Sequence, residues 1–407
     1  VSVEFQLARL QNGLTVIAEI DPDAASAAMG YFVKTGARDE PESLAGVSHF
    51  LEHMVFKGDE TLTGLEVNLA FDRLGAQYNA YTSEENTVFY GAVLPELIPE
   101  LLRLLTRLMR PAIRQEDFET EKKVILEEIA LYADRPESVA FERARARYFR
   151  GHPLGKSVLG TTESITRLTR DQMVDYHRRR YLPGNMVLAF AGRIDWHEVL
   201  DLAAALTEDW PSGEAPRAYP PHAPSREAVR ETYERARQTY FVVMAPGYAA
   251  RDPRRYPASI LAHLLGDASS SRLYWALFDT GLVESFGAGH EENDGLGSFY
   301  VYASARPENE ASVAEALEAV LAELRRDTPG EDEIERAKTK MATSVVFAGE
   351  TPMSRLFHLG LSYVYTETYE PLSDVLSKVK AVDRRAVLEV LEDDPFASAL
   401  FYRLGPG

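Results

Sequence analysis

The chain has 407 residues, 45% of them hydrophobic, which suits a globular protein of two or three domains at roughly 150 residues each and is too apolar for a disordered chain. Its 44 Lys and Arg stand against 63 Asp and Glu, and the net charge of −19 repels nucleic-acid phosphates and anionic lipid headgroups, so neither is an expected partner. The lack of cysteine removes disulfides, thiolate nucleophiles and cysteine-ligated metals, so a metal must sit on His, Asp or Glu.

In chain order, Val3, Phe5 and Leu7 alternate with polar residues, Asn12-Gly13 supplies a turn, and Leu14, Val16, Ala18 and Ile20 alternate again, which predicts a β-hairpin. The first ten residues lack a basic start followed by an apolar run, so a cytoplasmic location is the default expectation. No stretch approaches the ~20 apolar residues of a membrane span. A strand over Met29 to Lys34 and a Gly/Asp/Pro turn then lead to helical spacing from Ser43 to Phe56. Helical patterns recur at Leu97 to Met109, stopped by Pro111, and at Gln115 to Tyr132, stopped before Pro136.

Clustered prolines mark residues 211–225 as a linker, dividing the chain into a domain at 1–210 and another at 226–407. Beyond it the opening order repeats. Tyr240-Phe241-Val242 echoes Tyr31-Phe32-Val33, Ala250-Arg251-Asp252 echoes Ala37-Arg38-Asp39, and a helix with His263 follows as one with His49 and His53 did. The expected fold is α+β, with two homologous halves, each an antiparallel-rich sheet packed with helices.

The segment Gly46-Val47-Ser48-His49-Phe50-Leu51-Glu52-His53-Met54 places two histidines one helical turn apart with a glutamate beside them. Two neutral imidazoles at this spacing can share one Zn²⁺, while Glu52 can reach a water at the metal without being a ligand. This is the HxxEH order, and with 9 His in 407 residues composition alone yields roughly 0.02 such matches. Its bland alternative is a pair of surface histidines beside an ordinary glutamate. A third ligand is sought on the helix Gln115 to Tyr132, where Glu121, Val124, Ile125, Glu128 and Leu131 share a face and Glu127 falls on the solvated side. Glutamates on an apolar stripe need partners, but spacing does not choose between Glu121 and Glu128.

These motifs resemble the pitrilysin-type, or M16, zinc peptidases, a family that includes insulin-degrading enzyme and the mitochondrial processing peptidase. His49-Phe50-Leu51-Glu52-His53-Met54-Val55-Phe56-Lys57-Gly58 is similar to the family's metal helix, and Glu121-Lys122-Lys123-Val124-Ile125-Leu126-Glu127-Glu128 to its downstream glutamate helix. The resemblance implies one zinc per chain on His49, His53 and Glu128, Glu52 as general base, and Glu121 as a supporting catalytic-site carboxylate. It also implies that Asn79-Ala80-Tyr81-Thr82-Ser83 is the edge strand to which an extended peptide adds. Read without it, that segment is a surface strand after the turn at Gly75.

The pattern breaks in the C-terminal half. Many bacterial members carry an Arg and a Tyr there that help to bind substrate and the developing oxyanion, whereas Leu277 and Glu284 occupy those places here. Neither side chain can donate a hydrogen bond to an oxyanion. A homologous partner subunit that supplies the pair across a shared chamber is the favoured expectation, giving a heterodimer of which this chain is the catalytic member. A register shift that brings Tyr274 or Tyr300 into the role is the alternative. The expected activity is zinc-dependent hydrolysis of peptides or unfolded segments. Its rivals are a non-hydrolytic peptide-binding or assembly subunit and a metal-dependent hydrolase of other substrates.

Overall fold

The structure is a computed structural model that describes residues 3–224 and 226–407; Val1, Ser2 and Ser225, the last position of the predicted linker, lie outside the described residues. The chain forms two compact units, one drawn from Val1–Ile129, Lys156–Ala218 and Ala348–Glu370, the other from Ala130–Gly155, Tyr219–Phe347 and Pro371–Gly407.

The first unit is built on six strands, β1 (Glu4–Arg9), β2 (Thr15–Ile20), β3 (Ala27–Val33), β4 (Gln77–Thr82), β5 (Thr87–Val93) and β6 (Met186–Gly192), in the order β1-β2-β6-β3-β5-β4. The hairpin expected at Asn12-Gly13 joins β1 to β2, with Gly13 at φ +98° and the Asn12 side chain accepting from Leu14 N. The helices of this unit and of the links that follow it are α1 (Val47–Val55), α2 (Gly64–Leu74), α3 (Ile98–Leu108), α4 (Gln115–Ala133), α5 (Pro136–Tyr148), α6 (Thr162–Arg167), α7 (Arg170–Arg180) and α8 (Trp196–Leu206). The helical spacing that begins at Ser43 resolves into a short 3₁₀ turn and then α1, because Gly46 at φ +89° interrupts it.

The second unit holds β7 (Glu227–Thr232), β8 (Thr239–Gly247), β9 (Ser285–Glu292), β10 (Gly297–Ala305) and β11 (Leu400–Gly405), in the order β7-β11-β8-β10-β9. Its helices include α9 (Arg255–Gly266), α10 (Glu310–Glu323) and α11 (Glu331–Ala348), followed by α12 (Pro352–Thr366), which belongs to the first unit, and then α13 (Leu372–Ala381) and α14 (Arg384–Glu392). The two sheets share one pattern. β2–β6 and β7–β11 are parallel, and the pairs that continue from them, β6–β3–β5–β4 and β11–β8–β10–β9, are all antiparallel. β1 is the one addition. The Tyr-Phe-Val echo falls on β3 and β8, which hold the same place in the two orders.

Both faces of each sheet are covered. On β3, Ala27, Met29, Tyr31 and Val33 enter the larger core with α1, α3 and α7, while Ala28 and Phe32 point to a second layer made by Leu356, Leu359 and Val364 of α12. A strand buried on both faces reads as a continuous apolar run, as this one does. Gly360 lets α12 approach, since a Cβ there would lie 2.3 Å from the Phe32 ring. In the second unit Phe241, Val243 and Ala245 of β8 face α9 and α10, and Val242 and Met244 face Ala140 and Ala144 of α5. Each unit therefore takes one covering helix from the other side of the Pro-rich segment.

Candidate metal centre

The chain before α1 sets that helix in place. At Gly46 a Cβ would lie 2.5 Å from Leu159 O, so only glycine fits, and glycine brings no side chain to satisfy the free N–H groups of the first turn. The buried carboxyl of Glu40 takes over this task, accepting from Gly46 N and Ser48 N at 2.7 Å each. Burial pushes Glu40 up to about 8, outweighing the pull of these donors. The Ser48 hydroxyl meets that of Tyr176 on α7 at 2.8 Å.

On α1, His49 and His53 each place Nε2 3.7 Å from Oε2 of Glu128 on α4. One donor atom from each of the three residues lies within 4.8 Å of the others, and no other such group occurs among the described residues. Two atoms bound at ~2.0–2.1 Å to a tetrahedral zinc ion stand roughly 3.4 Å apart, so this donor set fits zinc. Burial, helped by the charge of His53, lowers His49 to about 4, which keeps it neutral and able to donate a lone pair at neutral pH.

Glu121 occupies a different place from Glu128. Its Oε1 lies 2.9 Å from His53 Nδ1, where it accepts the ring N–H and leaves Nε2 turned to Glu128. Lys57 holds its other oxygen at 2.6 Å. The His53 hydrogen bond keeps Glu121 below the usual carboxylate range despite burial. Burial alone would lower His53, but Glu121 and the charges of Glu52 and Glu128 raise it.

Glu52, one residue before His53, accepts a 2.7 Å hydrogen bond from the Thr82 hydroxyl at the end of β4. Burial raises its pKa, opposed by Thr82 and His53 and assisted by the charge of Glu128. β4 is an outer strand of its sheet, so one of its backbone edges has no strand partner. On it Asn79 is exposed with its side-chain oxygen accepting from Ala80 N, Ala80 is buried, and half-buried Tyr81 packs towards Phe357.

Of the α4 stripe, Glu121 and Ile125 are buried, but Val124 and Leu131 stand 42% and 53% exposed, so the stripe is not uniformly a core face. Glu127 is exposed as its spacing predicted. Sequence reasoning passed over three residues: Glu40, Lys57 and Thr82. Lys57 and Thr82 lay inside the quoted motifs, whereas nothing in the spacing pointed to Glu40.

In the second unit Leu277 is fully buried, and Glu284 accepts from Gln238 and lies 3.6 Å from Arg306. Tyr274 packs with Trp275, Phe278 and Phe286. No helix among the described residues is long and apolar enough to cross a membrane.

Comparison with known proteins gives this geometry its setting. Residues 15–162 match the family described as insulinase (peptidase family M16), and residues 167–341 match the peptidase M16 inactive domain. An uncharacterised zinc protease of Mycobacterium leprae is 33% identical over 92% of this chain and 85% of its own length. One of Bacillus subtilis is 28% identical over 93% of this chain and 92% of its own. A protease from Helicobacter pylori superposes with a TM-score of 0.93 at 19% identity, covering 99% of this chain and all of that one, a likeness of fold. The chain belongs to the M16 peptidase family.

Proposed function

We propose that the chain is a zinc-dependent endopeptidase acting on extended peptides or unfolded segments. The observation that carries this reading is the convergence of His49, His53 and Glu128 beside a half-buried carboxylate, Glu52, that is hydrogen-bonded to the end of an outer strand. When bound, zinc would supply Lewis acidity, polarising a carbonyl and lowering the pKa of water towards ~7. His49, His53 and Glu128 would hold it, and Glu121, itself fixed by Lys57, would keep His53 in the tautomer that presents Nε2. Glu52 takes the proton of the attacking water and returns it to the leaving amine. Thr82 occupies Oε2 of Glu52, leaving Oε1 for that proton. An extended substrate adds to β4 along Asn79, Ala80 and Tyr81, which brings its backbone to the strand end where Thr82 meets the base.

The second half of the proposal is the partner. With Leu277 buried and Glu284 engaged by Gln238 and Arg306, this chain offers no oxyanion donor at either position, so a homologous subunit supplies the Arg and Tyr in a heterodimer. The same two residues favour the second reading, a subunit that binds peptides without cleaving them. Chelator treatment followed by re-addition of one equivalent of zinc per chain separates the two, measured on unstructured peptides with and without the co-purifying protein. Turnover that disappears and returns supports the peptidase. Peptide binding with no turnover in either sample supports the second reading.

A further inference from the structure

The first unit contains a cavity of about 320 Å³ at the turn between α3 and α4, and none of the metal-centre side chains lines it. Its wall includes Arg110, Arg170 and Arg178, with Glu60 as the single carboxylate, a concentration of positive charge in a chain of net −19. Arg110 is the unusual member. Its Nη1 donates to the carbonyls of Met109 and Tyr181 at 3.1 and 3.0 Å, and its guanidinium lies 3.8 Å from the Trp210 ring centroid. Its Nη2 is shielded from solvent without a hydrogen-bond partner, and no carboxylate pairs with it among the described residues. Burial brings Arg110 down to about 10, so it remains charged at neutral pH. The half-buried guanidinium is met by two carbonyls and the Trp210 face but by no counter-charge, which an anion in the cavity would supply.

The rest of the wall is arranged to the same end. His177 is buried and driven to about 4 by burial and by the charge of Arg110, so it stays neutral and its Nε2–H donates to Met109 O at 3.0 Å. Ile113 is a β-branched residue at φ +46°, a conformation such residues rarely adopt. That strained turn presents the Ile113 carbonyl to Arg170 Nε at 2.8 Å. Among the described residues Arg170 is otherwise paired only with its neighbour Asp171, which is 87% exposed. Arg178 is exposed and makes no ion pair among the described residues.

We propose that this cavity binds a small oxyanion, a phosphate or carboxylate group, held by Arg170 and Arg178 and balancing the half-buried charge of Arg110. The proposal does not depend on the peptidase reading. Calorimetric titration of the zinc-loaded full chain with inorganic phosphate, and separately with acetate, at constant ionic strength tests it. One saturable site per chain is expected, weakened about tenfold by Arg178→Gln and by Arg170→Gln, the effect of one charge-assisted hydrogen bond. Glu128→Gln should bind the anion as the parent does, which distinguishes the cavity from an anion resting on zinc. Saturation by phosphate alone assigns the site to phosphate groups, and saturation by acetate as well extends it to carboxylates. No saturable binding of either anion, an affinity indifferent to Arg178→Gln, or binding lost in Glu128→Gln would overturn the proposal. Arg178 is exposed, so its variant is not compromised by misfolding.

Discussion

The two sheets have the same five-strand order and the same pairing senses, yet only one carries a metal-ligand set. After β3 the first unit places α1, with His49, Glu52 and His53; after β8 the second places α9, whose one histidine, His263, is lowered by burial and stands without a ligand set around it. α9 is instead an apolar slab, with Ala258, Ile260, Leu261, Leu264 and Leu265 all buried. The scaffold is thus indifferent to the chemistry. Three polar residues on one helix and one glutamate from another make the difference, together with Glu40 and Glu121, which hold them in position.

That contrast can be broken at several strengths. The largest effect is expected from Glu128→Gln or His49→Asn, which should abolish stoichiometric zinc binding, whereas His263→Asn in the second unit should leave it intact; metal analysis of the purified variants decides. Loss of zinc in His263→Asn would end the contrast. Next, Glu121→Gln should weaken zinc about 10- to 100-fold by releasing the His53 ring, as measured by competition with a chromophoric chelator. Glu40→Ala should cost about 2 kcal/mol in urea unfolding, because it leaves the buried N–H groups of Gly46 and Ser48 without acceptors. Hydrogen exchange should then rise at the start of α1 and not at α9.

The smallest effect unites the units instead of separating them. His177 in the first and His290 in the second are both lowered to about 4, burial being the main cause. Their folded pKa lies below the unfolded value near 6.5, so the stability they contribute is present above that value and is lost as pH falls towards 4. By pH 6 each should cost about 0.8 kcal/mol. The raised Glu40 acts in the opposite direction between pH 6 and pH 8, so thermal unfolding at the two pH values compares the parent with His290→Gln; the variant should lack its share of the loss, and an identical pH dependence in the two would contradict a neutral buried imidazole.

Much of the fold was legible because its signals are local. Asn12-Gly13 marked a hairpin, and the His49/His53 spacing put two rings on one side of a helix. The interleaving of the units was not legible. Periodicity shows that α12 has an apolar face at Leu356, Leu359 and Val364, but not that β2, β3, β5 and β6 are what it covers. The linear boundary at 211–225 likewise carried no sign that α5 and α12 would join the units across it. At the candidate site, spacing left Glu121 and Glu128 undecided because both lie on one stripe, and only the tertiary approach of α4 to α1 shows that one faces Nδ1 of His53 and the other both Nε2 atoms. Glu40 escaped notice for the same reason. Its target N–H groups lie six and eight residues onward, across a break at Gly46 that no helical pattern spans.

Hydrolysis at this centre depends most directly on Glu52. The purified Glu52→Gln chain, assayed on an unstructured peptide alongside its zinc content, should keep one zinc per chain and lose turnover by about 10²-fold or more, since the proton acceptor is gone while the ligands remain. Turnover at the parental rate with zinc in place would contradict it.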